Sequence, residues 1–75
     1  MTIKEINDKN YRALRKNIIQ GLSDETKTRE EIRKEYKVYD AKISRFHIHG
    51  LINDKQLAKL DALIFDICEN VLYNN

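Results

Sequence analysis

The chain contains no proline and no tryptophan, and it has only two glycines and one cysteine among its 75 residues. Without proline nothing interrupts a long helix, and the abundance of Lys, Glu, Arg, Ile and Leu favours helices. A single cysteine excludes an intramolecular disulfide, and no apolar run is long enough for a signal peptide or a membrane span. We therefore predict one all-α domain over residues 1–75, located in the cytoplasm.

Cap and stop signals divide the chain into four predicted helices. The start signals are two Thr-x-x-Glu capping boxes and one Asn-x-x-Gln cap, and the stop signals are the two glycines. The predicted helices run from Ile3 or Asn7 to Gln20, from Thr28 to a bend around Val38, from Asp40 to His49, and from Asn53 to about Leu72. The expected fold is a four-helix domain with a longer C-terminal helix.

Residues 28–46 have the apolar spacing of two short helices joined by a tight bend, which is the pattern of a helix-turn-helix. The positions expected to face the core or to lie in the bend are Ile32, Tyr36, Val38, Ile43 and Phe46. This tract resembles the helix-turn-helix of the Cro and repressor family of phage and mobile-element regulators, whose second helix typically carries a run like Ile43–Phe46. The resemblance implies a small regulator of transcription that binds double-stranded DNA.

The resemblance also implies which residues contact DNA. In such a motif the second helix enters the major groove, and the start of the first helix contacts phosphates. Arg45 or Lys42 would suit guanine, and Asp40 would accept from a cytosine amino group. The full set of predicted DNA-contacting residues is Thr28, Arg29, Tyr39, Asp40, Lys42, Ser44 and Arg45.

The alternative is an antirepressor or modulator that binds a partner repressor protein instead of reading DNA. The bend has Lys37 where the family usually has glycine, and Tyr39 stands where a serine or threonine usually caps the second helix. The acidic Asp40 and a net charge of only +2 also favour a protein partner. Both hypotheses stay open at the level of the sequence.

Charge is distributed unevenly along the chain. Lys9, Arg12 and Lys16 share one face of the first helix, and Lys42 and Arg45 belong to the third. Residues 61–75, in contrast, contain three acidic and no basic residues. A basic stripe is often only a solvated helix face, but beside a helix-turn-helix pattern it favours nucleic-acid binding.

The last helix has an unusually wide apolar surface. At 100° per residue its apolar side chains cover an arc of about 200°, which is wider than a helix covered on one side requires. A domain of this length buries only about 60% of its chain surface, so the excess predicts a homodimer through this helix. The predicted interface residues are Leu57, Leu60, Ile64, Ile67 and Val71. The alternative is that neighbouring helices of the same chain cover this helix on two sides.

The sequence offers little for catalysis, cofactors or metal ions. It has no glycine-rich phosphate loop, and its only two serines have no histidine and carboxylate in a recognisable order. His47 and His49 would point about 200° apart on a helix, and no C-x-x-C or H-x-x-x-H spacing supports zinc. Cys68 falls inside the apolar arc, which predicts a buried apolar side chain. We therefore expect no enzyme activity, no cofactor and no metal.

Overall fold

Three helices of equal length form the protein in a computed structural model. They are α1 (Ile3–Leu22), α2 (Arg29–Ile48) and α3 (Asp54–Tyr73), each with 20 residues. The structure describes residues 1–73, and the side chains of residues 1–71. The helices are each about 30 Å long, and they run up, down and up around one core. The all-α prediction is confirmed, but the prediction of four helices is wrong, because the second and third predicted helices are one continuous helix.

The helix-turn-helix expected at residues 28–46 is absent, because α2 continues through the predicted bend. Among the described residues, Gly50 alone has a positive φ, so Lys37 does not adopt the left-handed conformation that the bend requires. A left-handed Lys37 would cost about 1–2 kcal/mol, whereas each further helical residue adds a backbone hydrogen bond. No glycine or proline lies between Gly21 and Gly50 to favour the bend.

The apolar stripe of α2 follows a single helical face. Ile32 and Ile43 are fully buried and lie three turns apart on this face, and Tyr39 and Phe46 pack against the core from the same side. Tyr36, which was expected to face inward, is 39% exposed, and Val38, which was expected in the bend, is 62% exposed. The spacing that resembled two helices is therefore the stripe of one helix plus two exposed apolar residues.

The predicted start signals are confirmed by the hydrogen bonds at the three helix N-termini. Thr2 and Thr28 each cap their helix in a box with the glutamate three residues later. Asn53 and Gln56 exchange equivalent bonds at 2.8 and 3.0 Å. Gly50 has a φ of 72°, as expected for the residue that ends α2.

Gly21 lies inside the last turn of α1, which continues to Leu22. A Cβ atom at this position would overlap the ring and the hydroxyl of Tyr39. Glycine is therefore required by the close packing of α2 on α1, and not by a turn. Tyr39 consequently faces α1.

The core consists of apolar side chains from all three helices and from the turn before α3. Its buried members are Leu14, Ile18, Leu22, Ile32, Ile43, Ile52, Leu60, Ile64 and Cys68. Cys68 is confirmed as a buried side chain, and burial raises the pKa of its thiol. A protonated, enclosed thiol is a poor nucleophile.

The predicted homodimer interface needs correction because most of it belongs to this core. Leu60 and Ile64 are fully buried, so they contact the other helices of the same chain and not a second copy. Leu57, Ile67 and Val71 are partly buried and pack against the same cluster. The wide apolar arc of α3 is thus covered on two sides, with Phe65 left 65% exposed. Leu72, at the end of the arc, lies outside the described side chains.

Hydrogen bonds join the helices at both ends of the bundle. The side chain of Asn7 donates to the carbonyl of Gly50, and that of Asn10 to the carbonyl of Leu51, both at 3.0 Å. At the other end, Lys27 Nζ lies 2.7 Å from the Glu35 carboxylate and 3.1 Å from the carbonyl of Gly21. Across residues 1–73, no helix combines the length and the apolar content needed to cross a bilayer.

Candidate interaction surface between α2 and α3

The residues predicted to contact DNA do not share one surface. On the continuous α2, Tyr39 packs against Gly21 of α1, and Lys42 is half-buried. Asp40 lies on the side of α3, where its charge acts on Asp61. Ser44 and Arg45 are exposed on the outer side. The set is therefore divided among different sides of α2, whereas a recognition helix presents its base-contacting side chains on one side.

The two predicted phosphate-contacting residues are also far from the predicted recognition residues. Thr28 is the N-cap of α2 and Arg29 is its first residue. Arg45 follows Arg29 by sixteen residues on the same helix, which corresponds to about 24 Å along its axis. A helix-turn-helix would bring both groups to the same stretch of DNA.

A different group of residues meets across the groove between α2 and α3. His47 Nε2 lies 2.5 Å from Asp54 Oδ1. Asp40 lies seven residues before His47, and Asp61 lies seven residues after Asp54, so the antiparallel helices bring the two aspartates to corresponding positions along the groove, where the charge of Asp40 raises the pKa of Asp61. Tyr36 lies four residues before Asp40 on α2, and Phe65 lies four residues after Asp61 on α3. Because the helices are antiparallel, these two side chains also occupy corresponding positions along the groove. The steps of seven and four residues keep these pairs on one face of each helix. We call Tyr36 and Phe65 the aromatic patch, and Asp40 and Asp61 the aspartate pair.

The aromatic patch is accessible. Phe65 is 65% exposed and Tyr36 is 39% exposed, although both are large side chains that a small domain usually buries. The patch is adjacent to the aspartate pair, since one helical turn separates the two along the groove. Aromatic side chains of this kind are enriched at the centres of protein interfaces.

The aspartate pair carries charge that the protein itself does not neutralise. The ion pairs among the described side chains join Lys27 to Glu35, Lys34 to Glu30, and His47 to Asp54, so they leave out Asp40 and Asp61. Partial burial raises the pKa of Asp61, and the nearby Asp40 carboxylate raises it further. Two carboxylates are therefore held near each other at the edge of an apolar surface.

Asp61→Asn should raise the melting temperature at pH 7, because a raised folded-state pKa means that the ionised group disfavours folding. This penalty is present above the raised pKa, and it disappears as the pH falls below 3.8, the ordinary value, where both states are protonated. Thermal unfolding at pH 7 and pH 3 measures the difference. Asp66→Asn, on an exposed part of the same helix, controls for removal of a negative charge. An equal gain from both variants at pH 7 would contradict the special position of Asp61.

Charge is segregated between the helices. α1 contains five basic and two acidic residues, and α2 contains six basic and four acidic residues. α3, in contrast, contains two basic and four acidic residues. Most of the exposed or half-buried basic residues of α1 and α2 lie on the outer side of these two helices, away from α3. We call this surface the basic face; its residues are Lys9, Arg12, Lys16, Lys34, Lys42 and Arg45. The protein therefore has a basic side and, across the bundle, an aromatic and acidic groove.

Sequence reasoning missed the α2/α3 groove although it had considered most of its residues. The apolar spacing predicts that Tyr36 faces the interior, and it gives Phe65 no role beyond that of one apolar side chain among those of the last helix. A continuous α2 was the missing signal, since it places Tyr36 and Asp40 on one face, four residues apart.

Comparison with protein families, with characterised proteins and with solved structures finds no significant match. The function of the chain must therefore be inferred from its own surfaces.

Proposed function

We propose that this protein is an interaction module that binds a partner protein through the groove between α2 and α3. The observation that carries the proposal is the exposed aromatic patch of Tyr36 and Phe65, beside an aspartate pair that no basic side chain neutralises. Burial of exposed aromatic side chains supplies much of the binding energy of protein interfaces. A charged rim adds specificity and speeds association.

The partner that we propose is a DNA-binding transcription regulator. The DNA-contacting surface of such a protein is rich in Lys and Arg, because it neutralises phosphates. The aspartate pair is complementary to such a surface, so binding there would compete with DNA. The protein would then act as an antirepressor or modulator in the cytoplasm, and a reducing compartment is consistent with the single free thiol of Cys68.

Direct recognition of DNA sequence by this chain has less support. The continuous α2 has no separate recognition helix, and Tyr39 is packed against Gly21 of α1. The basic face nevertheless favours a second candidate function, in which the protein binds the phosphate backbone of double-stranded DNA without reading its sequence. Such binding would weaken steeply as the salt concentration rises.

The proposal is tested with any DNA-binding regulator whose gene adjoins the gene for this chain, and with the DNA between the two genes. In fluorescence anisotropy at 150 mM salt, we expect the wild-type chain to release the regulator from this DNA and to form a complex with it. Phe65→Ala should weaken the complex at least about tenfold. Val38→Ala removes a similarly exposed apolar side chain from the other flank of α2 and should have little effect.

The same titrations separate the candidate functions. Failure to bind the regulator, or equal affinity of the wild type and Phe65→Ala, would overturn the proposal. Salt-dependent binding of the isolated chain to both adjoining and random DNA, weakened by Lys16→Gln and Arg45→Gln together, would support the second candidate. Tight binding to the adjoining DNA without binding to random DNA would instead support direct recognition of DNA sequence by this chain.

A further inference from the structure

One exposed row of side chains on α3 combines an aromatic ring with two carboxylates. Phe65 is 65% exposed, and Asp61 and Glu69 lie four residues before and after it. Side chains four residues apart are neighbours on one side of a helix, so the three form a row about 12 Å long. Both carboxylates are exposed, and neither takes part in the ion pairs within residues 1–71. We call Asp61, Phe65 and Glu69 the acidic ridge.

A row on α2 has the same spacing and the opposite charge. Val38 is 62% exposed, and Lys34 and Lys42 lie four residues before and after it. Lys34 is exposed, and its ion pair with the exposed Glu30, at 4.0 Å, is a weak one. Lys42 is half-buried and makes no ion pair with the described side chains. We call Lys34, Val38 and Lys42 the basic ridge.

Further charges determine the side from which the acidic ridge attracts a basic surface. Arg33 and Lys37 lie at the level of this ridge on α2, because the ion pair that joins the ends of α2 and α3 fixes the antiparallel register. They would repel a cation over the groove. Asp66 is exposed and lies about 140° round α3 from Asp61, so it adds negative charge on the outer flank. A basic surface is therefore favoured on that outer flank.

The other acidic residues of α2 near the basic ridge are engaged within the chain or turned away from it. Glu31 belongs to the capping box of α2, and Glu35 pairs with Lys27 at 2.7 Å. Asp40 lies two residues after Val38, and thus about 200° round the helix. The basic ridge therefore keeps its positive charge.

We propose that the chain associates with a second copy of itself, in which the acidic ridge of one molecule packs against the basic ridge of the other. Phe65 covers Val38, and each flanking carboxylate lies beside a flanking lysine. Rows of residues four apart pack together when two helices cross at about −50°, the commonest crossing in globular proteins. The contact uses none of the core-packed residues that the sequence predicted for a homodimer.

Charge favours this unequal contact over a symmetric dimer. Two acidic ridges, or two basic ridges, would bring groups of like charge together, which opposes binding. A contact between unlike ridges leaves one ridge of each kind free at the ends of the assembly, so further copies can add as a chain or a ring. The contact is smaller than a standard interface, so we expect a dissociation constant between about 0.1 and 1 mM.

This inference does not depend on the proposed function, although both use Phe65. A second copy on the acidic ridge covers part of the aromatic patch, and therefore excludes the partner protein. Self-association would thus keep the module inactive at high concentration. At low micromolar concentration the chain is expected to be monomeric, so binding of the regulator and self-association can be measured separately.

Two single variants, alone and mixed, test the inference by sedimentation velocity between 0.05 and 1 mM. At 1 mM we expect the wild type to have an average mass above that of a dimer. Phe65→Ala and Val38→Ala should each weaken association at least about tenfold. An equimolar mixture should restore it, because Val38→Ala has an intact acidic ridge and Phe65→Ala an intact basic ridge. The mixture offers one such contact for each pair of molecules, so it should stop at a dimer.

NMR spectra of the mixture, with one variant isotopically labelled at a time, locate the contact. Signal changes should centre on the basic ridge of Phe65→Ala and on the acidic ridge of Val38→Ala. Ile48→Ala is the matched control, because Ile48 is 76% exposed on α2 but lies outside the basic ridge. It should associate like the wild type. All three substituted side chains are exposed, so the variants should remain folded, which circular dichroism verifies.

A wild-type chain that stays monomeric at 1 mM, or a mixture that associates no more than its two components, would overturn the inference. Wild-type association that persists in both variants would also overturn it, since the contact would then lie elsewhere. If self-association fails while the regulator complex still depends on Phe65, this inference fails and the proposed function stands. If the mixture dimerises but the regulator complex is unaffected by Phe65→Ala, the proposed function fails and this inference stands.

Discussion

Lys37→Pro is expected to destabilise the protein by about 3 kcal/mol or more. Lys37 lies in the middle of α2, where proline removes a backbone hydrogen bond, clashes with the preceding turn and disfavours the helical conformation of Tyr36. A domain of this size has only about 3–5 kcal/mol of stability from its core. The substitution should therefore remove most of this stability and lower the melting temperature by about 12 °C or more, which thermal unfolding by circular dichroism measures.

Ile3→Pro is the matched control for this substitution. Ile3 is the first residue of α1, its side chain is 76% exposed, and Thr2 before it has the extended ψ of 161° that proline favours. Proline there should change the melting temperature little. If Lys37→Pro melted like Ile3→Pro, the chain would have a break in α2, and the bend predicted from the sequence would regain support.

Leu60→Ala is expected to cost about 2–5 kcal/mol, because Leu60 is fully buried and the substitution leaves a cavity among tightly packed helices. Since all of its contacts lie within one chain, the loss should be the same at every protein concentration. Urea unfolding at low and high micromolar concentration measures both the size of the loss and its independence from association.

Phe65→Ala provides the comparison on the same helix. It removes a larger side chain, but one that is 65% exposed, so the unfolding free energy should change by less than about 0.5 kcal/mol. An effect of Leu60→Ala that changes with protein concentration would mean that Leu60 contacts a second copy, as the wide apolar arc of α3 suggested. Similar losses from both variants would contradict the burial that separates them.

The helix starts were predictable because each depends on a few adjacent residues. Thr28 and Glu31 satisfy each other's backbone groups whatever the rest of the chain does, and Asn53 with Gln56 does the same. Gly50 was equally readable, since a left-handed residue at a helix end is most easily a glycine. Local chemistry of this kind needs no knowledge of the tertiary fold.

The continuity of α2 was harder to predict because two structures share the same apolar spacing. Ile32 and Tyr36 fit a short first helix, but Ile32, Tyr39 and Ile43 fit one long helix equally well. The choice depends on which aromatic residue enters the core, and this is decided by Gly21, which makes room on α1 for Tyr39 and leaves Tyr36 outside. That contact joins residues eighteen positions apart and has no local signature.

The candidate site was out of reach of the sequence for a related reason. Phe65 belongs to the same apolar arc as Leu60 and Ile64, and only the positions of α1 and α2 determine which of the three stays outside. The partnership of Asp40 with Asp61 likewise depends on the antiparallel register of α2 and α3. Sequence periodicity shows which face of a helix a residue occupies, but it does not show which other helix packs against that face.

The two hydrogen bonds from α1 to the turn between α2 and α3 have a consequence for how the protein folds. The carbonyls of Gly50 and Leu51 accept these hydrogen bonds only when α1 is packed in place, because the donors Asn7 and Asn10 lie more than forty positions earlier in the sequence. The α2–α3 hairpin is therefore an incomplete folding unit, because α1 supplies the hydrogen-bond donors that the turn between these helices needs. Amide hydrogens in the middle of all three helices should exchange together, in one opening of the whole molecule.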